Sequence, residues 1–252
     1  MIETFNLSKT YGSVIAVDDL NLKVDSELFV FLGPNGAGKT TTIKMMAGLL
    51  QPSSGAVKIN GYDIQTQPVE AKRIMGLVPE MPFLYEKLTA REFVQFMADV
   101  YRVDRTDCQR RMDNLFELFD ISSSADALIQ TLSHGMKQKV ALSGALIHDP
   151  QVLLLDEPTV GLDPKSARNL KDVLRGLVKK GVTVFMSTHI LEIAERMCDR
   201  VGIINKGKLI ALGTMDELQQ LSKQKEKTLE DIFLDLTGGT EYEEVAKFLE
   251  DK

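Results

Sequence analysis

Gly33-Pro34-Asn35-Gly36-Ala37-Gly38-Lys39-Thr40 decides the reading of this chain, because the residues on both sides fit it as well as its own letters do. Before it, Leu28-Phe29-Val30-Phe31-Leu32 is an unbroken apolar run of strand length. After it, Thr41-Thr42-Ile43-Lys44-Met45-Met46-Ala47 reads as a helix that stops at Gly48. A strand, a glycine-rich turn and a helix N-terminus aim successive backbone N–H groups at one point, where the helix dipole adds roughly +0.5 of a charge. Gly36 and Gly38 are expected to keep Cβ atoms out of a cradle that phosphate oxygens approach closely. Lys39 adds a full positive charge toward the β- and γ-phosphates, and the Thr40 hydroxyl offers a ligand for Mg²⁺. The stretch predicts a nucleoside triphosphate site. Kinases, GTPases, motors and transporters all carry such a loop, so discrimination has to come from further along the chain.

Length and charge narrow the field. The 252 residues suit one large α/β domain, or a core with a subdomain, and the net charge is −6. Residues 223–252 hold nine Asp and Glu against five Lys, so −4 of the −6 lies in that tail. A near-neutral body without runs of Lys and Arg argues against nucleic acid as the main partner. Cys108 and Cys198 have no metal or redox spacing and fit a reducing compartment. The acidic start, Met1-Ile2-Glu3-Thr4, does not read as a signal peptide. No apolar stretch reaches the roughly 18 to 20 residues of a membrane span, so work at a membrane would need another anchor.

Residues 1–25 alternate as strands do, with a turn at Tyr11-Gly12-Ser13, and predict strands ahead of the strand that leads into the loop. Gly55 to Tyr62 reads as a short strand and tight turn, and Ile74-Met75-Gly76-Leu77-Val78-Pro79 as a buried strand stopped by proline. The texture then turns helical. Thr89-Ala90-Arg91-Glu92 is a capping box, and behind it Phe93, Phe96, Met97 and Val100 predict one apolar helix face. A second helix is expected over 105–120. Strand character returns at Val152-Leu153-Leu154-Leu155 and Val182-Thr183-Val184-Phe185-Met186. The pattern is a parallel, helix-flanked sheet interrupted by a helical insertion. The boundaries expected are 1–85 with 151–222 for the core and β unit, 86–150 for the insertion, and 223–252 for a helical C-terminal extension. In that extension Leu229, Ile232, Phe233 and Leu236 share a face, with Gly238-Gly239 as a C-cap. The face packs either on the chain's own core or on a partner.

Leu132-Ser133-His134-Gly135-Met136 opens a helix running to Ile147, with Ser133 at the N-cap position and Gly135 leaving the first amides uncovered. Alone this is a capped helix. Three later segments give it meaning. Leu155-Asp156-Glu157-Pro158 ends a buried strand in two adjacent acids, Gly161-Leu162-Asp163-Pro164 comes next, and Ser187-Thr188-His189 ends the following strand. In this order and spacing the chain, over at least residues 1–215, resembles the nucleotide-binding subunit of an ABC transporter.

The resemblance implies an α/β fold: a P-loop NTPase (RecA-like) core with a mainly parallel sheet, an N-terminal antiparallel β subdomain and an inserted α-helical subdomain. It implies a Walker A loop from Gly33 to Thr41 (Gly33, Pro34, Asn35, Gly36, Ala37, Gly38, Lys39, Thr40 and Thr41) that binds ATP. Asp156 is then a Mg²⁺ anchor beside Thr40, Glu157 the general base, Lys39 and His189 contacts of the γ-phosphate, and Tyr11 the aromatic that stacks on adenine. Tyr11 also reads simply as a turn tyrosine. Leu132 to Met136 becomes the signature motif, whose Ser133 and Gly135 cover a partner's γ-phosphate in a head-to-tail ATP sandwich, the partner being a second copy or a paralogue. ATP then acts as the adhesive, and hydrolysis reopens the dimer.

Two departures from the family pattern stand out. Glu80 replaces the usual Gln after the third core strand and is expected as a metal or water contact. His134 and Met136 replace the more common Gly and Gln of the signature. Together with the tail these resemble the export-type branch, whose ATPases pair with a separate integral-membrane permease and so work on the cytoplasmic face of the membrane. An importer remains open, and so does a soluble ABC ATPase for assembly, regulation or a nucleic-acid-linked role. In the apolar Met81-Pro82-Phe83-Leu84-Tyr85 segment, either Phe83, Leu84 or Tyr85 lies exposed as a docking surface, or the segment is a buried hinge.

Overall fold

The computed structural model describes residues 1–221 and 229–237. The chain opens with β1 (Ile2–Tyr11), β2 (Val14–Val24) and β3 (Leu28–Leu32), then α1 (Lys39–Met46), β4 (Ser54–Ile59), β5 (Tyr62–Asp63), α2 (Pro68–Arg73) and β6 (Met75–Val78). Between β6 and the next strand the chain is helical, with α3 (Ala90–Val100), α4 (Arg105–Leu118) and α5 (His134–Leu146). Then come β7 (Val152–Asp156), α6 (Pro164–Lys179), β8 (Thr183–Thr188), α7 (Leu191–Met197), β9 (Arg200–Asn205), β10 (Lys208–Gly213), α8 (Met215–Leu221) and α9 (Leu229–Thr237).

These strands form two sheets. One has the order β2-β1-β4-β5 and is antiparallel throughout. The other has the order β10-β9-β3-β8-β7-β6; its strands are parallel except for β10, which runs antiparallel to β9. Every residue of β3, β7 and β8 is buried. Strands covered on both faces do not alternate in polarity, which is why these three read as continuous apolar runs while β1 and β2 alternate.

The central sheet divides the interior in two. Leu28, Val30 and Leu32 of β3 face a core shared with α3, α4, α5 and α6. Phe29 and Phe31 point the other way, into a core closed by α1 and the antiparallel sheet. There Phe29 stacks on Phe185 of β8 at 5.4 Å between ring centroids, and Phe31 packs on the same ring at 5.4 Å. Burial of each such side chain stabilises the fold by about 1.5–3 kcal/mol. The sheet is thereby held as a rigid floor, and the carboxyl ends of β3, β8 and β7 come side by side, where ligands of open α/β sheets bind.

The capping box at α3 forms as expected. The Thr89 hydroxyl accepts from the Glu92 amide at 3.1 Å, and the Glu92 carboxylate accepts from the Thr89 amide at 2.8 Å. The expected apolar face, however, holds only in part. Phe93 is buried and Met97 packs partly against the core as expected, joined by Ala90, Val94 and Ala98, whereas Phe96 and Val100 are exposed. Small Ala90 and Ala98 carry too little apolar weight to mark the face in the sequence, although α3 packs closely on α5 across it. Leu229 and Ile232 of α9 are buried and Phe233 packs partly against the same core. That face therefore covers the chain's own core, next to α7 and α8. The Leu236 side chain, Gly238-Gly239 and the rest of the acidic tail lie outside the described residues.

Candidate active site

The loop from Gly33 to Gly38 is shaped by what presses on it. Gly33 donates its amide to the Thr188 carbonyl at 3.3 Å, tying the loop to the end of β8. A Cβ on Gly33 would lie 2.4 Å from the Ile204 carbonyl oxygen. Gly38 has φ +110°, and a Cβ there would lie 2.3 Å from the Ala16 carbonyl oxygen. The absent side chain at Gly38 thus admits β2, a reason different from the phosphate clearance read from the sequence. Gly36, at φ +79°, fits that reading better, with open space where a Cβ would stand.

Lys39 opens α1 almost fully buried, its ammonium donating to the Gly33 carbonyl at 2.8 Å and the Pro34 carbonyl at 3.2 Å. The same ammonium lies 3.4 Å from Glu157 Oε1. Glu157 follows β7 with φ +49°, a left-handed turn that is rare for a residue with a long side chain. The turn is fixed by its amide, which donates to the Ser187 hydroxyl at 3.1 Å and the Ser187 carbonyl at 3.2 Å. On the far side, His189 Nδ1 stands 3.0 Å from Glu157 Oε1, and the His189 amide donates to Oε2 at 3.3 Å. One buried carboxylate is therefore held between a lysine and a half-exposed histidine.

Asp156, the preceding residue, is also buried, and its Oδ1 accepts the Ser187 hydroxyl at 2.6 Å. Ser187 thus serves both acids at once, and it is the residue that sequence reasoning missed. It stood in the quoted Ser187-Thr188-His189 end, but only the pairing of Asp156 with Ser187 across β7 and β8 shows its place. For Mg²⁺ the Asp156 carboxylate and the Thr40 hydroxyl are hard oxygen donors of the right kind, and Mg²⁺ in nucleotide sites usually takes one or two carboxylates and completes its shell with phosphate and water. The described hydrogen bond of Asp156 engages Oδ1, and by its chemistry this donor set fits the ion. Glu80 is exposed, and no hydrogen bond or ion pair among the described residues joins it to Thr40 or Asp156.

The remaining expected residues lie around this centre. Pro34 and Asn35 are exposed, Ala37 is buried, and Thr40 and Thr41 are half-buried at the start of α1. Ala37 also accepts from the Gly207 amide at 3.0 Å. Tyr11 is half exposed where β1 meets β2, opposite Val14 and two residues along β2 from Ala16, with the Lys9 ammonium 5.2 Å from its ring. Ser133 caps α5, its hydroxyl accepting from the Met136 amide at 3.3 Å. Within this chain no described hydrogen bond or ion pair joins Ser133 or Gly135 to the loop; the start of α5 packs instead on Gly161 and Leu162.

Phe83 is 91% exposed and Tyr85 59%, so the segment before α3 is an open surface and not a buried hinge. The Tyr85 ring meets Phe96 edge-on at 5.5 Å, which gives the turned-out Phe96 a partner. A recess of about 450 Å³ opens beside them between Phe83, Leu84 and Ile129. Lys137 lines it and pairs with Glu86 at 3.1 Å. No described helix is long and apolar enough to cross a membrane.

Comparison with known proteins agrees with this geometry. The family model for ABC transporters matches residues 17–160. The linearmycin resistance ATP-binding protein LnrL of Bacillus subtilis (strain 168) is 37% identical over 219 residues, covering 86% of this chain and 70% of LnrL. A solved ATP-binding subunit of an ABC transporter superposes with a TM-score of 0.90 at 34% identity, covering 94% of this chain and 99% of that one. A dimeric post-hydrolysis state of the ATP-binding cassette MJ0796, bound to ADP and Pi, superposes with a TM-score of 0.79 at 26% identity, covering 85% of this chain and 99% of that one.

Proposed function

The chain belongs to the ABC transporter family as an ATP-binding subunit with ATPase function, and from that membership and the site geometry we propose that it drives export through a separate membrane permease. The observation that carries the proposal is the Glu157 carboxylate held by both Lys39 and His189 where β3, β7 and β8 end together. In this reading Lys39 exchanges its pairing with Glu157 for the β- and γ-phosphates of ATP. That exchange frees Glu157 to take a proton from the attacking water, an effect worth about 10²–10⁴ in rate. His189, with Nδ1 turned to Glu157, holds the carboxylate in place and presents the rest of its ring toward the γ-phosphate. Thr40 and Asp156 would hold Mg²⁺, which would supply charge neutralisation on the phosphates. Tyr11 stacks on the adenine, and the exposed Glu80 would act as a water contact.

Partners follow from the same reading. Residues 86–150 carry the signature segment on α5, and residues 1–85 with 151–222 carry the loop, so two subunits set head to tail complete each other's site. Ser133 and Gly135 then face the partner's γ-phosphate, and closure and reopening of this dimer form the working stroke. The exposed Phe83, Tyr85 and Phe96 fit a permease segment lying against the chain, which would place the subunit on the inner face of the membrane. A non-transport ATPase is less supported, since LnrL is described as a resistance protein.

The test is Glu157→Gln. It should keep ATP affinity, lose nearly all turnover and trap a dimer that sediments as such with Mg-ATP. Tagged Glu157→Gln chain should then recover a polytopic membrane protein from detergent extracts. Wild-type turnover by this variant would remove Glu157 from the role of base. A trapped dimer that recovers only soluble proteins would refute the transporter reading.

A further inference from the structure

The start of α5 lies against the turn after β7. A Cβ on Gly161 would stand 2.3 Å from the His134 ring, and one on Gly135 would stand 3.2 Å from the Gly161 carbonyl oxygen. Lys139 lies close to Asp163: the Ser166 hydroxyl foremost, and Lys139 more weakly, hold the Asp163 carboxyl below its ordinary range. His134, Gly135 and Lys139 therefore mark the face of α5 that meets residues 161–163. Gln138 is four residues from His134 and three from Gly135, so it shares that face, and its side chain leans back toward the helix start.

Gln138 is completely buried, and among the described residues neither its amide oxygen nor its amide nitrogen has a hydrogen-bond partner. On the turn that follows β7, Thr159 is 6% exposed and its hydroxyl is likewise buried with no partner among the described residues. Roughly nine in ten buried polar groups are paired, so each of these orphans calls for an explanation. The two are complementary, since an amide and a hydroxyl can each donate and accept. Thr159 also belongs to the turn that carries Glu157, in which the Val160 amide donates to the Glu157 carbonyl and the Leu162 amide to the Thr159 carbonyl, each at 3.2 Å.

We propose that Gln138 is a positioning residue for Glu157: its side-chain amide bonds the Thr159 hydroxyl, directly or through one enclosed water, when α5 and the turn close on each other. The bond ties the start of α5 to the turn that carries Glu157, so that displacement of one is felt at the other. The inference rests on the reading of Glu157 as the general base.

The test uses the purified full chain, with steady-state ATP hydrolysis and thermal melting measured on each variant. Gln138→Met and Thr159→Val should each lower kcat about tenfold and leave KM for ATP within about twofold. The double variant should fall no further than either single one, the signature of two groups acting through one bond. It should also melt no lower than either single variant, because neither orphan is then left facing an apolar side chain. Thr159→Ser, which keeps the hydroxyl, should restore turnover. Folded single variants with wild-type kcat, or effects that multiply in the double variant, would overturn the proposal. If Gln138→Met does not fold, the contrast of Thr159→Val with Thr159→Ser decides: equal turnover in the two refutes the bond. A wild-type chain without ATPase activity would instead bring down the reading of Glu157, and this inference with it.

Discussion

Replacing Ser187 by alanine removes one oxygen and acts on both acids of the site. The hydroxyl donates to Asp156 Oδ1 at 2.6 Å and accepts from the Glu157 amide at 3.1 Å, in a fully buried position at the end of β8. The two losses are unequal. The Glu157 amide keeps the Ser187 carbonyl at 3.2 Å, so it is not orphaned. The Asp156 carboxylate, 3% exposed, loses the Ser187 hydroxyl, its donor among the described residues. A hydrogen bond to a charged group contributes about 1.5–3 kcal/mol, and the small void left behind adds little. At about 2–4 °C per kcal/mol for a chain of this size, the expected fall in Tm is roughly 3–12 °C. Turnover should fall with it, by about tenfold, because the turn carrying Glu157 loses half of its anchor. Calorimetry and steady-state ATP hydrolysis on Ser187→Ala and Ser187→Thr measure both effects, with the threonine variant expected near wild type. An alanine variant that melts within about 1 °C of wild type and hydrolyses ATP at full rate would refute the assignment of Ser187 as the shared anchor.

Three more outcomes are expected. Gly38→Ala, facing the Ala16 carbonyl at 2.3 Å with φ +110°, should displace β2 from the loop and abolish binding of a fluorescent ATP analogue; retained affinity would show that the loop tolerates a shifted β2. Phe83→Asp should leave Tm and ATP hydrolysis unchanged, since the side chain is 91% exposed, yet lose recovery of the membrane partner; unchanged recovery would exclude this surface from docking. His148 stacks on Tyr101 at 3.7 Å, and burial pushes its imidazole down to about 4, with Asp149 opposing and Arg111 assisting. The unfolded chain therefore binds the proton first, and stability present above about pH 6.5 is lost as pH falls toward 4. Allowing for its partial exposure, the loss is about 2 kcal/mol, and urea midpoints at pH 7 and 5 should converge in His148→Phe; an unchanged pH dependence would exclude His148 as its source.

Much of the site was legible because its parts are local. The loop, the capping box at Thr89, the cap at Ser133 and the acids ending β7 each depend on residues a few positions apart. What stayed hidden depends on register between distant strands. Ser187 gains its role only by lying opposite Asp156, 31 residues away, and Gly38 owes its necessity to a carbonyl on β2. The face of α3 was misread in part for another reason: large apolar residues mark a face in a sequence, but here small Ala90 and Ala98 are buried beside Phe93, and α5 meets the helix at Gly144, which lies against Phe93 and Met97. Glu80 lies exposed past the end of β6, the edge strand, which pairs with β7 but is separated from β3 and its loop by β7 and β8.

The division of β3 between two cores constrains any redesign of this strand. Register in a sheet is usually guarded by polarity, since a slip of one residue throws apolar side chains into water. In Leu28-Phe29-Val30-Phe31-Leu32 a slip would expose nothing, because both faces are buried. The alignment is written instead in side-chain bulk, two rings on one side and three aliphatic chains on the other, and in the bare backbone of Gly33 beneath Ile204. A library that varies this strand while keeping it merely hydrophobic would erase the ruler that sets the loop at its height. One that preserves the alternation of large and small would keep it.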